Sequence, residues 1–242
     1  MVKCVNCGTE SEGRYCPECG QKMQFVRMNI KTIFYDKIHD VTHWENTVLY
    51  TLRHLITSPG TTVKNYITGK KKSIVKPVKY FLSVSAIHVI VFRWMSKYFF
   101  EFQHSGEEAN EIKDSMVAQN LLNSYINYFE FFMPVFFSVF LYLLYRKKTG
   151  VNYAESFAIS FYWMGTTMVI NVIMILLSVF EIRLWYAGLI INIIYLMYAS
   201  LQFSGTHRVT DFIRSALFLA LSYVSFLAAA EGAIIFYIKY IK

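Results

Sequence analysis

Five long apolar stretches constrain this chain more than any other feature of its sequence. They lie near residues 78–100, 125–145, 156–180, 184–203 and 212–238. Each is long enough to cross the hydrocarbon core of a bilayer, which is roughly 30 Å thick and takes about 20 helical residues. Hydrophobic residues make up 55% of the chain, more than a water-soluble domain of this size buries. The sequence therefore predicts an all-α integral membrane helical bundle of about five transmembrane helices over residues 78–242.

The charges between these stretches predict how the bundle is oriented. The segment before residue 78 is basic, the loop 101–124 is acidic, and the turn near Glu181 is neutral. The loops after the second and fourth stretches are basic again, through Arg146, Lys147 and Lys148 and through Arg208. Because loops rich in Lys and Arg stay in the cytoplasm, we predict a multi-pass protein of the inner (plasma) membrane. Its N-terminus is predicted to be cytoplasmic and its C-terminus to lie outside.

The first 27 residues carry a metal-binding pattern. Cys4 and Cys7 form one CxxC pair, Cys16 and Cys19 form a second, and a glycine follows each pair. The spacing points both sulfurs of a pair at one centre, and the glycine permits the tight turn around it. Four thiolates close a tetrahedral shell, which suits structural zinc and leaves no position open for catalysis. We predict a cytoplasmic zinc ribbon over residues 1–27, with one Zn²⁺ per chain.

Three other readings of the four cysteines remain open from the sequence. They are two disulfides, a redox CxxC motif and an iron centre of the rubredoxin type. A redox motif normally belongs to a much larger domain. So short a segment also cannot build a core without a metal. These points favour the metal site over the first two alternatives.

Residues 28–77 are predicted to form an amphipathic, interfacial helical joint. Apolar residues recur at helical spacing over 28–41 and 44–57, and both segments are too short and too polar to span a membrane. They either lie in the membrane interface or pack on each other and on the bundle. Pro59-Gly60 is predicted to end the second helix. Thr61 or Thr62 would then cap a short third helix that Gly69 ends.

Lysines crowd the start of the first span. Lys70, Lys71, Lys72 and Lys76 precede it, and most of the net charge of +8 lies before residue 80. We predict that these four side chains contact anionic lipid headgroups, as juxtamembrane basic clusters do. Nucleic acid is the other usual partner of basic patches, but this charge abuts an apolar span, so we expect the lipid bilayer instead. A protein partner or a second copy of the chain is expected as well.

A few polar residues fall inside the predicted spans. With the orientation above, Arg93, Glu130 and Glu231 all lie in the outer half of the bilayer. Charges at membrane depth are costly and mark functional candidates. One interpretation is an intramembrane polar cluster that lines a cavity for an ion, a proton or a lipid headgroup. In one alternative, these residues hold the helices together by electrostatic attraction. In another, their side chains extend to the outer membrane surface.

Other residues in the spans carry structural predictions. Asn171 and Asn192 lie near the middle of their stretches, which predicts amide hydrogen bonds between helices. The small residues of 228–233 predict that the last span is a central helix or an oligomer contact. Pro134 is predicted to kink the second span.

The joint also carries a family resemblance. Its motifs are Thr51-Leu52-xx-Leu55-xxx-Pro59-Gly60, Tyr66-xx-Gly69-Lys70 and Pro77-xx-Tyr80, downstream of the two CxxC pairs. Over residues 4 to 85 this order resembles domain-of-unknown-function family 3667, bacterial membrane proteins that tend to carry an N-terminal double-CxxC ribbon. The resemblance implies a bacterial inner membrane and no known activity. The five spans behind a cytosolic N-terminus are also similar to the Yip family of membrane-trafficking proteins, but only in layout, so this similarity implies no role for any residue.

No motif in the sequence indicates catalysis. It has no Ser-His-Asp set, no HExxH and no acidic metal pair at a recognised spacing. We therefore expect a non-enzymatic scaffold, signalling or assembly factor that uses the ribbon for docking. The alternative is a small transporter, channel or lipid-handling protein with a polar path near Glu130 and Glu231, which requires a water-accessible cavity. A membrane enzyme acting on lipid is a third class, and no motif supports it.

Overall fold

The computed structural model describes residues 2–23, 27–30, 44–71, 73–103, 130–181, 183–205 and 208–240. Within them lie two short strands, β1 (Val2–Lys3) and β2 (Glu10–Ser11). Seven helices follow in the described part: α1 (Trp44–Thr57), α2 (Pro59–Ile67), α3 (Pro77–Gln103), α4 (Met133–Thr149), α5 (Tyr153–Leu177), α6 (Arg183–Ser204) and α7 (Val209–Tyr240). The predicted helix over 28–41 lies almost entirely outside the described residues.

The N-terminal unit contains the same backbone turn twice. β1 and β2 pair antiparallel, with Lys3 opposite Glu10. In the first turn the Gly8 N–H donates to the Cys4 carbonyl at 2.9 Å, and in the second the Gly20 N–H donates to the Cys16 carbonyl at 2.8 Å. Both glycines have positive φ, 85° and 66°, a conformation that is costly for residues with a Cβ. This explains why a glycine follows each CxxC pair.

In the described part of the chain, four helices are long and apolar enough to cross a membrane. These segments are Pro77–Met95, Tyr153–Leu177, Ala187–Ser204 and Val209–Ala233. They coincide with the first, third, fourth and fifth predicted stretches, which supports the prediction of a membrane protein. The second stretch, 125–145, overlaps helix α4, which begins at Met133 and has 17 residues. Its last turn carries Arg146, Lys147 and Lys148. Residues 125–129 lie outside the described part, so the fifth crossing stays a prediction.

Pro134 lies in the first turn of α4. The first N–H groups of a helix have no intrahelical partner, so a proline there costs no hydrogen bond. A turn at residues 131–132 lies directly before α4, and Glu130 is helical again on its other side. Because residues 125–129 lie outside the described part, a kink of the whole second span stays a prediction.

The central element of the bundle is α5. Almost every residue from Ala154 to Met168 is buried, and the helix packs against α3, α4 and α6. A helix that is apolar and buried on all sides belongs in the interior of a bundle. The prediction that the last span is central was wrong, because Ala228, Ala229 and Gly232 of α7 are exposed. The alternative, an oligomer contact, stays a prediction.

The helices α1 and α2 form a hairpin that packs on α6 and α5. The predicted start of α2 was wrong, because the helix begins at Pro59 and not after Thr61 or Thr62. The cap comes from another helix, since Gln202 Oε1 of α6 accepts from the N–H groups of Gly60 (2.7 Å) and Thr61 (3.2 Å). Gly69, with φ 111°, lies just beyond the end of α2, as predicted.

Gly60 serves close packing instead of ending a helix. A Cβ built on this residue would lie 2.3 Å from the backbone nitrogen of Phe203 and 2.8 Å from the carbonyl oxygen of Ala199. Both atoms belong to the backbone of α6, which has no flexible end that could move aside. The absent side chain is therefore what lets α2 approach α6 so closely.

The basic segments lie at one end of the bundle. Lys148 at the end of α4 forms an ion pair with Asp211 in the first turn of α7, and Arg214 also contacts that carboxylate, at 2.7 Å. Asp211 is buried, so these two cations compensate a charge that would otherwise be costly. The N-terminal unit contacts the bundle at this same end, through the α4–α5 connection that follows Lys148.

Candidate metal centre and its attachment to the bundle

The four predicted cysteine ligands lie together. Their Sγ atoms are all within 4.8 Å of one another, with Cys4 and Cys19 at 3.7 Å and Cys7 and Cys16 at 3.4 Å. A tetrahedral ion with sulfur ligands at about 2.3 Å places those sulfurs about 3.8 Å apart. Disulfide sulfurs would be at about 2.05 Å, and all four cysteines are free. The arrangement fits a metal ion and not a pair of disulfides.

The electrostatics of the thiols also suit a cation. Hydrogen bonding to the Thr9 hydroxyl, together with the Thr9 backbone N–H, lowers the pKa of Cys7 to about 6. The Gln21 backbone N–H lowers the pKa of Cys19, but burial and the neighbouring thiols outweigh it and raise that pKa to about 11. Sulfurs this close resist carrying several negative charges at once. A bound metal ion removes that repulsion and stabilises the thiolates.

Among the described residues 2–23, the N-terminal unit has almost no hydrophobic core besides the cysteines. Met23 packs against Cys4 and Cys16, with Cys19 partly buried beside them. Such a cluster is too small to stabilise a chain segment by apolar burial alone. Metal binding would therefore supply most of the folding free energy of this unit.

Gln21 joins the metal site to the loop that follows α2. Its carbonyl accepts from the Cys16 N–H at 2.8 Å, which closes the second turn. Its side-chain amide donates to the Gly69 carbonyl at 2.6 Å, and its Oε1 accepts from the Lys71 N–H at 3.3 Å. One residue therefore belongs both to the cysteine turn and to the start of the lysine-rich loop.

Arg27 makes a second attachment. Its guanidinium donates to both carboxylate oxygens of Glu155, at 2.8 Å and 3.0 Å, and to the Gly150 carbonyl at 2.5 Å. Glu155 is buried, and its hydrogen bond and charge raise the pKa of Arg27. Asn152 and Glu155 form a capping box at the start of α5, and the Asn152 amide donates to the Met28 carbonyl at 3.0 Å. The segment after the metal site is thus held on the α4–α5 connection.

The predicted lipid-contacting lysines lie between the metal site and the first span. Lys70 and Lys76 are exposed, and the Lys71 ammonium lies 5.3 Å from the centre of the Tyr66 ring. Lys72 lies outside the described residues. Contact of these side chains with lipid headgroups stays a prediction.

The predicted polar cluster shows one pairing that the sequence did not reveal. Glu130 Oε2 lies 3.8 Å from Nδ1 of His88, which is buried on α3. Arg93 and Glu231 are both exposed on their helices. The side chains of residues 96–129 lie outside the described part, so a cluster of Arg93, Glu130 and Glu231 stays a prediction.

The predicted amide hydrogen bond between spans is confirmed. Asn192 Nδ2 of α6 donates to Asn171 Oδ1 of α5 at 2.6 Å. The bond satisfies two polar groups at membrane depth, where no water competes for them. It also fixes the register of the two helices.

Sequence reasoning missed the residues that attach the N-terminal unit to the bundle: Gln21, Arg27, Asn152 and Glu155. One signal was present, because Asn152-x-x-Glu155 before a long apolar run is typical of a capping box. It predicts the start of α5 but not that the same carboxylate binds Arg27. Gln21 and Arg27 stand in no motif.

Residues 45–89 match a protein family of unknown function, DUF3667. The predicted family is confirmed for this segment. It covers nearly all of α1, all of α2 and the first half of α3. No curated protein and no solved structure matches the chain.

Most motif residues of the DUF3667 segment are buried, although Leu52 is only partly buried and Lys70 is exposed. The buried ones include Thr51, Leu55, Tyr66 and Tyr80, of which the most accessible, Tyr66, is 5% exposed. Thr51 Oγ1 accepts from the Val75 N–H at 3.0 Å. The buried part of the motif therefore describes how the α1–α2 hairpin packs on the bundle.

Proposed function

We propose that the protein is a non-enzymatic scaffold, signalling or assembly factor of a bacterial inner membrane. In this proposal the N-terminal unit is a cytoplasmic ribbon that holds one structural Zn²⁺ and docks a protein partner or a second copy of the chain. Four thiolates close the coordination shell, so the ion has no position left for a substrate. The family match and the apolar helices are compatible with such a protein.

The attachment of the ribbon carries this proposal. Met23 is the last residue of the small core of the ribbon. Gln21, before it, and Arg27, after it, both hydrogen-bond to the bundle and so hold the ribbon in place. A docking module on a flexible linker loses conformational freedom when it binds. A module already held in place loses less, so the attachment favours a ribbon that presents a defined surface to a partner.

The proposed topology has five crossings and a cytoplasmic N-terminus. The basic residues of the α4–α5 and α6–α7 connections lie at the same end as the ribbon, which is the end that the positive-inside rule assigns to the cytoplasm. Lys70, Lys71, Lys72 and Lys76 would contact anionic headgroups there. A phosphatase that is active only outside the cytoplasm, fused after Lys242, should be active, and inactivity would contradict five crossings.

The docking role is tested by cross-linking in the native membrane. Wild-type protein and a Cys4→Ser, Cys7→Ser variant are cross-linked and isolated, and the metal content of both is measured. An Asn6→Ser variant is the control, since it changes the same turn and keeps all four thiols. We expect the partner to be lost together with zinc, and only in the cysteine variant. A partner retained without zinc would contradict docking through the ribbon, and iron in the wild type would contradict zinc.

The His88–Glu130 pair favours a second candidate function. A small transporter, channel or lipid-handling protein would use a polar path near Glu130 and Glu231. His88 on α3 and Glu130 just before α4 lie 3.8 Å apart, and both would belong to that path. Glu130→Gln and Glu231→Gln variants in liposomes should then lose ion or lipid flux. Glu181→Gln, at the same end of the bundle, is the control. Unchanged flux in both variants would exclude this candidate.

A further inference from the structure

Helix α1 has two different apolar faces. Thr51 and Leu55 are fully buried against the bundle, and Val48 and Leu52 pack beside them. On another face Leu49 is 64% exposed and Ile56 is 47% exposed. These two residues and Arg53 are spaced i, i+4 and i+7, so they share one side of the helix. The packing of α1 on the bundle accounts for the first face and leaves much of the second exposed.

Contacts with α6 give the level of this helix relative to the membrane. The Tyr195 hydroxyl donates to the Leu55 carbonyl at 3.2 Å, and the Tyr198 hydroxyl donates to the Thr57 carbonyl at 3.0 Å. The apolar segment of α6 runs to Ser204. At 1.5 Å per residue, Tyr195 lies about 13 Å and Tyr198 about 9 Å from that end. Half of the hydrocarbon core is roughly 15 Å thick, so the C-terminal end of α1 lies beside the membrane-spanning length of α6.

The exposed face of α1 continues a surface that faces lipid. On α6, Ile194 is 62% exposed and Tyr198 is 45% exposed, as expected for the outside of a spanning helix. Tyr198 is the residue that contacts Thr57, the neighbour of Ile56. An apolar strip at this level and next to this surface meets acyl chains rather than water.

We propose that α1 is embedded in the leaflet at the basic end of the bundle and that its Leu49–Arg53–Ile56 face binds an anionic glycerophospholipid. The acyl chains pack on Leu49 and Ile56, and the Arg53 guanidinium binds the phosphate. A long arginine side chain keeps its stem on apolar surface while its head reaches the headgroup layer, and its planar fork suits phosphate oxygens. The surface is separate from the lysines that precede α3, and it does not depend on docking by the ribbon.

Photocross-linking of the full-length protein in vesicles of phosphatidylcholine and phosphatidylglycerol tests the location. The photoreactive residue p-benzoylphenylalanine is incorporated at Leu49 or Ile56. Incorporation at Ile194 of α6 is the positive control, since that position faces lipid. Val2, which is 57% exposed on the N-terminal unit, is the matched apolar control. We expect lipid adducts at Leu49 and Ile56 as abundant as at Ile194 and several-fold above Val2. Adducts at the level of Val2, or mainly between two copies of the chain, would overturn the proposal.

The role of Arg53 is measured in the same adducts. Arg53→Gln should lower the enrichment of phosphatidylglycerol over phosphatidylcholine at Leu49 by about fivefold, the factor that corresponds to about 1 kcal/mol for one arginine at an anionic surface. Arg53→Lys should retain most of the enrichment. An unchanged lipid ratio in Arg53→Gln would show that the phosphate is not bound by this residue and would overturn the headgroup assignment.

Discussion

The N-terminal unit and the helical bundle reach a defined structure by different means. In the N-terminal unit the buried apolar cluster is Met23 with the cysteines themselves. In the bundle the core extends across all seven described helices and includes large side chains such as Trp163, Tyr145 and Phe218. The small unit would depend on a few strong bonds to an ion held by its four thiols, whereas the bundle depends on many weak contacts.

Removal of the metal should unfold the N-terminal unit and leave the bundle intact. Structural metal sites of this kind contribute about 10 kcal/mol to the folding of small domains. A Cys16→Ser variant or chelator treatment should therefore make residues 2–23 sensitive to protease, while the thermal unfolding of the bundle in detergent changes little. Metal retention should also fall at acidic pH, because protons compete with the ion for the thiolates. A bundle that melts together with the N-terminal unit would show that the two do not fold separately.

Gly60→Ala should strongly destabilise the bundle. The added Cβ would lie 2.3 Å from the Phe203 nitrogen, and overpacking against rigid backbone costs about 3 kcal/mol. The midpoint of thermal unfolding in detergent measures the change. Gly232→Ala is the control, since a Cβ there meets no atom within 4 Å, and it should be neutral or slightly stabilising. Equal midpoints for the two variants would contradict the close packing of α2 on α6.

Arg27→Ala should loosen the N-terminal unit without affecting its metal. The buried Glu155 would lose a partner at 2.8 Å. Because Arg27 itself is 57% exposed, solvent screens part of this interaction and the effect should stay local. Hydrogen exchange of residues 21–28 should rise while metal content stays at the wild-type level. Arg14→Ala, an exposed arginine within the N-terminal unit, is the control. Unchanged exchange would mean that Gln21 alone holds the unit in place.

Asn192→Leu should have the smallest effect. It removes the 2.6 Å hydrogen bond to Asn171, and such bonds between membrane helices contribute about 0.6 to 2 kcal/mol. The thermal midpoint in detergent should fall slightly. An Asn171→Leu, Asn192→Leu double variant should recover part of the loss, because no amide is then left unpaired. Additive losses in the double variant would show that the two amides act independently.

Features that repeat along the chain at short range could be predicted from the sequence. The CxxC spacing predicted the cysteine cluster, and four apolar stretches predicted helices at nearly their observed positions. Asn171 and Asn192 could be paired because both lie near the middle of their spans. In each case a local period or a composition carries the information.

Features that depend on distant residues could not be predicted. Arg27 and Glu155 are separated by 128 positions, and no local pattern links them. Gly60 looked like a helix end, yet its role is set by the α6 backbone 2.3 Å from its missing Cβ. The small residues of 228–233 suggested a central helix, but α5 takes that position because its buried surface extends around the whole helix.

Residue type and spacing were enough to predict the group of four thiols and the apolar helices. They were also enough to predict that basic residues occupy the connections at one end of the bundle. How the N-terminal unit attaches to the bundle, which helix is central and which face of α1 is exposed became known only from the tertiary structure. These features depend on which surfaces meet after the chain has folded, because packing and hydrogen bonding act between atoms close in space and not between residues close in sequence.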